Sequence, residues 1–173
     1  MLLTFLRISV SLIFFSNKIL VLIGKNSTGW LMGSIAGILA IFYFFLLELY
    51  VYMVMEFGIF VLMFYGFLIG KEKNTKTELI INWFLIGILG AFAYFVFSGI
   101  LTIVEFFSSI AFLLGTYYLI HTKPRLGWIL YVLAHAGSTY LGFEKKENFF
   151  ATFQLASVIV AIIGFLYPNL NRE

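Results

Sequence analysis

The sequence predicts an all-α polytopic membrane protein: seven transmembrane helices, arranged as two parallel three-helix repeats joined by a linking helix. Three observations predict it. First, hydrophobic residues make up 62% of the 173-residue chain and charged residues 11%, against about 45–50% and about 25% in soluble domains. That is too little polar material to cover a water-facing surface. Second, apolar runs of spanning length alternate with short polar breaks. Third, the chain overlays itself when shifted by 98 residues.

A spanning helix needs about 20 apolar residues, so the chain has room for seven spans with short loops and no soluble domain. The spans fall at about 3–23, 29–46, 49–70, 78–98, 101–121, 126–142 and 148–168. The first begins in apolar sequence at Met1, and its first base is Arg7. A signal peptide would instead start with positive charge and end at small residues, so this segment is expected to stay as a span. The clear breaks are Gly24 to Thr28, Lys71 to Thr77, Thr122 to Arg125, and Glu144 to Glu147. Two breaks are weaker, at Glu48 and at Ser98-Gly99. The run from Trp30 to Gly70 covers 41 residues, or roughly 61 Å of helix. That is about twice the hydrocarbon thickness, so it must hold two spans. The run from Glu78 to Ile120 divides for the same reason.

The absence of cysteine excludes a disulfide scaffold and any cysteine-ligated metal. A net charge of +3 reflects bases kept in loops and gives no reason to expect nucleic-acid binding. With seven spans the termini lie on opposite sides. The C-terminal side collects Lys25, Lys71, Lys73, Lys76, Lys123, Arg125 and Arg172; the other holds Lys145, Lys146 and Arg7. The excess places the C-terminus in the cytoplasm and the N-terminus outside a cell (inner) membrane. Lys18, in the inner half of the first span, is expected to reach toward the cytoplasmic boundary.

The internal repeat rests on its rarer residues. Under the shift Ser11 falls on Ser109, Phe14 on Phe112, Lys25 on Lys123, Gly29-Trp30 on Gly127-Trp128, Ala36 on Ala134 and Gly66-Phe67-Leu68 on Gly164-Phe165-Leu166. The chain then divides into repeat one (1–70), a linking helix (78–98) and repeat two (101–168) within a single membrane domain. Three spans, one linker and three spans make the triplets parallel, a geometry in which transporters place the substrate site at the repeat interface near midplane.

Ionisable and strongly polar groups are expensive inside a bilayer and usually face a cavity. Glu56, Glu105, His135 and Gln154 are such groups. Glu56 and Gln154 occupy equivalent repeat positions. In the sixth span Trp128, Tyr131, His135 and Ser138 share one helix face, where two aromatics followed by a hydrogen-bonding group would suit a flat heteroaromatic ring. The bland readings are an interfacial-belt role for Trp128, a structural hydrogen bond for Glu56 and His135, and interhelical glue for Gln154. Glu105 stands about one turn inside its span, where a solvated boundary role competes. Gly66 and Gly164 are close-packing positions. No motif has metal-ligand spacing, and no nucleophile elbow or phosphate loop occurs. An enzyme pairing Glu56 with His135 is the weaker alternative.

Three stretches carry a resemblance: Glu56-Phe57 with Phe64-Tyr65-Gly66-Phe67, Trp128-Ile129-Leu130-Tyr131 with His135, and Gln154 with Gly164-Phe165 and Tyr167. The chain resembles the nicotinamide riboside transporter family, PnuC-type vitamin transporters that share a three-one-three architecture with the SWEET sugar transporters. It departs from the family pattern at Glu56, where a glutamine is usual, at Tyr131 (tryptophan), at His135 (amide or acid) and at Leu31, where a proline often follows the tryptophan. The resemblance implies facilitated, ATP-independent uptake of nicotinamide riboside or a similar vitamin-type nucleoside precursor, without catalysis, metal or cofactor, and a homotrimer. The candidate substrate contacts are Glu56, Trp128, Tyr131, His135, Gln154, Trp30 and Tyr65, in stretches that bear on the resemblance, and Glu105, from its ionisable character alone. The alternatives are transport of another heteroaromatic vitamin such as thiamine or riboflavin, and a non-transporting membrane assembly protein.

Overall fold

A computed structural model describes residues 1–69, 75–120 and 124–167. They form seven α-helices: α1 (Leu2–Leu22), α2 (Asn26–Leu46), α3 (Tyr50–Ile69), α4 (Thr75–Phe95), α5 (Ile100–Ile120), α6 (Pro124–Glu144) and α7 (Asn148–Leu166). Five of these, α1, α2, α3, α5 and α7, are long and apolar enough to cross a membrane, and the Leu79–Phe95 stretch of α4 is a shorter apolar helix. The sixth helix also has 21 residues, enough for roughly 31 Å. It is less apolar because Tyr131, His135 and Ser138 all lie on its buried face.

The polarity of the molecule is inverted relative to a soluble protein. Lys18, Glu56, His135, Gln154 and several serines are buried, while Leu12, Phe42, Phe57, Trp83, Leu133 and Ile159 are exposed. An apolar exterior around a partly polar interior suits hydrocarbon as the solvent.

The shift of 98 residues carries α1 onto α5 and α2 onto α6 with identical ends, and α3 onto α7 to within one residue. Helices pack α1 on α2 on α3 in the first repeat and α5 on α6 on α7 in the second. The repeats meet along two seams, α3 with α5 and α7 with α1. Six helices therefore close a ring, and α4 lies outside it against α3 and α5. Close approach within each repeat uses glycine. A Cβ on Gly29 would meet Val21, and one on Gly127 would meet the equivalent Leu119.

The helix ends follow from local chemistry. After α1, Gly24 takes φ 82°, and the amides of Gly24 and Lys25 bond back to the carbonyls of Val21 and Leu20. This paired closure satisfies carbonyls that the helix end would leave bare. The same closure ends α2 at Glu48 (φ 58°) and α6 at Lys146 (φ 59°). These are equivalent positions, and both carry a side chain where glycine is the comfortable residue. Pro124 opens α6, where its missing N–H costs nothing. The weak break at Ser98-Gly99 is a real turn, with Gly99 at φ 104°.

Each seam is fastened at the end where α1 begins. On one seam the Arg7 guanidinium donates from Nη2 to Glu147 Oε1 at 2.8 Å, and its Nε stands in ion-pair contact with Glu147 Oε2. Tyr43 also donates to Glu147 Oε2, at 3.3 Å. On the other seam Glu105, the equivalent of Arg7, accepts a hydrogen bond from the backbone N–H of Val51 in the first turn of α3.

Candidate functional site

The ring encloses one small cavity bounded by both repeats. From repeat one it takes Phe14 and Lys18 of α1, Phe44 of α2, and Tyr52, Met55, Glu56, Ile59 and Met63 of α3. Repeat two contributes Phe112 of α5, Tyr131, His135 and Ser138 of α6, and Phe150 and Gln154 of α7. Its volume is about 20 Å³, room for about one water, whereas ligand pockets run to roughly 300–1,000 Å³. The ring is thus closed around its polar centre.

The polar groups are individually placed. His135 Nδ1 lies 2.6 Å from Gln154 Oε1. With the amide oxygen facing it, Nδ1 carries the proton and Nε2 is left as an acceptor. Neither His135 Nε2 nor Glu56 Oε2 has a hydrogen-bond partner among the described residues, and both atoms are buried. A buried polar atom left unpaired costs about 1–3 kcal/mol. Two such atoms on residues lining one cavity leave it hydrogen-bonding capacity that the described residues do not use.

Rings surround these groups. The His135 ring stands edge-on to Phe112, centroids 4.9 Å apart, and to Tyr131 at 5.6 Å. Tyr131 is fixed at its far end by a 2.9 Å hydrogen bond to Thr116. Across the ring, the Tyr52 and Ser138 hydroxyls are 2.9 Å apart, joining α3 to α6.

Of the residues expected to touch substrate, Glu56, Tyr131, His135 and Gln154 converge on the cavity from α3, α6 and α7. The other four stand elsewhere. Trp128 is fully buried, so it is no interfacial-belt residue. It lies behind Tyr131, ring centroids 5.9 Å apart, over Gly164. Trp30 is buried over Gly66 in the equivalent place. Tyr65 is half-buried and outside the cavity lining. Glu105 lines a separate cleft with Glu48, Tyr50, Val96, Ser98, Thr102 and Lys145, at the end where α5 begins.

Lys18 departs from expectation most. It does not reach for the membrane boundary. It is 4% exposed, and its ammonium lies 4.5 Å from the centroid of Tyr131, 5.8 Å from Phe14 and 6.0 Å from Phe112. It is also electrostatically coupled to Glu56. The sequence signal for this was available. On α1, Leu6, Val10, Phe14, Asn17, Lys18 and Val21 lie on one buried stripe, and helical spacing puts Lys18 on the face of Phe14 rather than on the lipid face.

Among the described residues, no three His, Asp or Glu side chains come together to hold a metal. Comparison with known proteins found no matching family, no matching curated protein and no matching solved structure.

Proposed function

We propose that the protein is a membrane facilitator for nicotinamide riboside or a similar vitamin-type nucleoside precursor, working by alternating access without ATP hydrolysis. One observation carries the reading. Side chains from both repeats place a carboxylate, an imidazole, an amide and aromatic rings on one closed cavity where the repeats meet. An assembly protein has no need of such a cavity. An enzyme using Glu56 and His135 would want them hydrogen-bonded as an acid–base pair, yet Glu56 Oε2 and His135 Nε2 are each unpaired.

The closed cavity sets the mechanism. A nucleoside enters only if the repeats separate along the α1–α7 and α3–α5 seams, so rocking of one triplet against the other opens the site to one side. In this reading Tyr131 and Phe112 hold the flat ring, while His135, Gln154 and Glu56 take its polar substituents. Lys18 changes the charge balance. Lys18 and Glu56 line the same cavity, so Glu56 alone does not decide between the riboside and its phosphorylated form.

The deciding experiment is uptake of labelled nicotinamide riboside, thiamine and riboflavin into proteoliposomes holding the purified protein. Riboside uptake that saturates and is lost in Tyr131→Ala supports the proposal. Uptake of none of the three would refute it. The orientation, N-terminus outside and C-terminus cytoplasmic, is part of the same proposal. A cysteine at Asn148 should react with an impermeant thiol reagent on whole cells, and one at Ser27 should not.

A further inference from the structure

Lys18 stands in a place shaped for a cation that comes from outside. Three aromatic rings face its ammonium, and the Tyr131 ring at 4.5 Å is well within cation–π range. The rings come from both repeats: Phe14 from α1, Phe112 from α5 and Tyr131 from α6. Glu56 adds an acidic side chain to the same cavity. Yet Lys18 itself is poorly held. The one hydrogen bond its ammonium makes among the described side chains is a 3.4 Å contact to Asn17 Oδ1, for a group with three donors. No carboxylate lies within salt-bridge distance of it among the described residues, where Arg7–Glu147 is the only ion pair. A lysine kept buried for structural reasons is normally saturated with oxygen partners. This one is instead surrounded by π-faces, the arrangement that recognises organic cations with no hydrogen bond to give.

We propose that Lys18 is a tethered stand-in for the ligand: its ammonium fills a cation subsite made by Tyr131, Phe112, Phe14 and Glu56, and a flat aromatic cation binds by displacing it. The proposal rests on the transporter reading for its biological meaning and deepens it by naming the ligand class, a pyridinium-type cation over neutral rings of the same shape. The repeat shows why the tether is one-sided. The equivalent of Lys18 is Thr116, which is bonded to Tyr131 within its own repeat. The equivalent of Tyr131 is Gly33, so the second helix of repeat one offers Lys18 no ring at that position, and Phe14 is the one ring of its own repeat that faces it. The flexible four-carbon stem lets it lean across to the other repeat and lets it leave.

The test uses the purified full chain in detergent and two probes of nearly equal shape, 1-methylpyridinium and uncharged toluene, with binding read by calorimetry. In Lys18→Met the stem is kept and the charge removed. The expected result is a gain of about tenfold or more in affinity for 1-methylpyridinium over the native protein, on the scale of a desolvated cation–π contact, with toluene affinity little changed. Lys18→Arg, which keeps a charge in the box, should show no gain. Lys18→Gln provides a second neutral variant should the methionine one fold poorly. Equal affinities for the cation in native and neutral variants would overturn the proposal, as would a loss of both probes, which would make Lys18 a structural support. Riboside uptake by the native protein is scored separately. Its failure with a cation gain in Lys18→Met removes the transport reading and leaves the subsite standing; uptake without the gain does the reverse.

Discussion

The second helix of each repeat occupies the same place in the ring, and the two helices have divided the work. On α6, Tyr131, His135 and Ser138 face the cavity. The equivalent positions on α2 are Gly33, Gly37 and Ala40, all buried. Where α2 carries Phe44 on the cavity, α6 has Gly142, packed on Ala151. Three of the four positions are larger on α6 and one is larger on α2, and on α2 the neighbouring helices close in on the glycines. The space above Gly33 belongs to Met63 and Asn17, which a Cβ there would strike. The space above Gly37 belongs to the backbone of Glu56 and to Phe60. Repeat one thus brings α2 close to α3 and offers the cavity the carboxylate of α3. Repeat two instead keeps its ring-bearing helix as a wall of the cavity. A duplicated scaffold can hold one asymmetric site because close packing constrains the sum of facing side chains more tightly than each one.

This comparison can be broken at four points. The largest effect is expected on α6 itself. Tyr131→Gly and His135→Gly copy the repeat-one residues and should each lower riboside uptake by about tenfold or more, on the scale of lost aromatic stacking and a lost buried hydrogen bond. Gly37→Ala, at the equivalent of His135, meets Phe60 and the Glu56 carbonyl at 3.2–3.5 Å, so α2 must ease slightly away from α3, and it should lower transport less than the two α6 changes do. Equal losses in all three variants would dissolve the division of labour between the helices.

The second point is the seams. Arg7 and Glu105 are equivalent residues with opposite charge, and each reaches a helix start across a seam. Glu105 does so directly, as a negative group at the positive end of α3. Arg7 cannot, so Glu147 stands at the start of α7 and Arg7 answers it. Arg7→Ala strands a buried carboxylate and should cost about 3 kcal/mol, the low end for a broken buried pair because Arg7 is partly exposed. Glu105→Gln keeps an acceptor for Val51 and should cost about 1 kcal/mol or less. Unfolding of the purified variants by denaturant in mixed micelles gives both values, and a reversed order would show that the seams are not held as described.

The third point is the tryptophan seats. A Cβ on Gly164 would run into the Trp128 ring, while one on Gly66 would sit 3.6–3.8 Å from Ile120 and Trp30. Gly164→Ala should destabilise by about 1–3 kcal/mol through overpacking. Gly66→Ala should be neutral or stabilising by up to about 1 kcal/mol through helix propensity. The smallest effect concerns the turns. Glu48→Gly and Lys146→Gly relieve a side chain at positive φ and should each raise stability by up to about 1 kcal/mol, seen as an upward shift in melting temperature. A fall at either position would assign that side chain a stabilising contact.

Much of the fold was legible because the relevant signals are local or periodic. Polar breaks set the seven helices, and rare residues in fixed register exposed the repeat. Helical spacing put Trp128, Tyr131, His135 and Ser138 on one face, and all four are buried. Spacing gives the face of a helix, however, and not the depth along it. That is why Trp128 read as a cavity wall and proves to sit one layer behind Tyr131. Depth depends on where neighbouring helices leave room, here on Gly164 from another helix. Glu105 was ambiguous for a similar reason, since its partner is a backbone amide at the start of α3. Lys18 was misplaced because its nearness to a helix end suggested escape to water, while the rings that hold it come partly from α5 and α6.

The α7–α1 seam joins the first helix to the last. During synthesis α1 enters the membrane long before α5, α6 and α7 exist, and for that period Lys18 lacks Phe112 and Tyr131, and Arg7 lacks Glu147. Phe14 and Asn17, in the same helix, are beside Lys18 from the start, and Asn17 finds the carbonyl of Gly29 in the next helix, at 2.6 Å. Until the Phe112 and Tyr131 rings exist, an isolated first helix has to turn that ammonium toward the membrane boundary instead. The newborn chain therefore has a waiting interval in which its first span is its least contented part, and the step that ends the interval is arrival of the final helix. The start of the chain reaches its full native surroundings only once the end of the chain is in place.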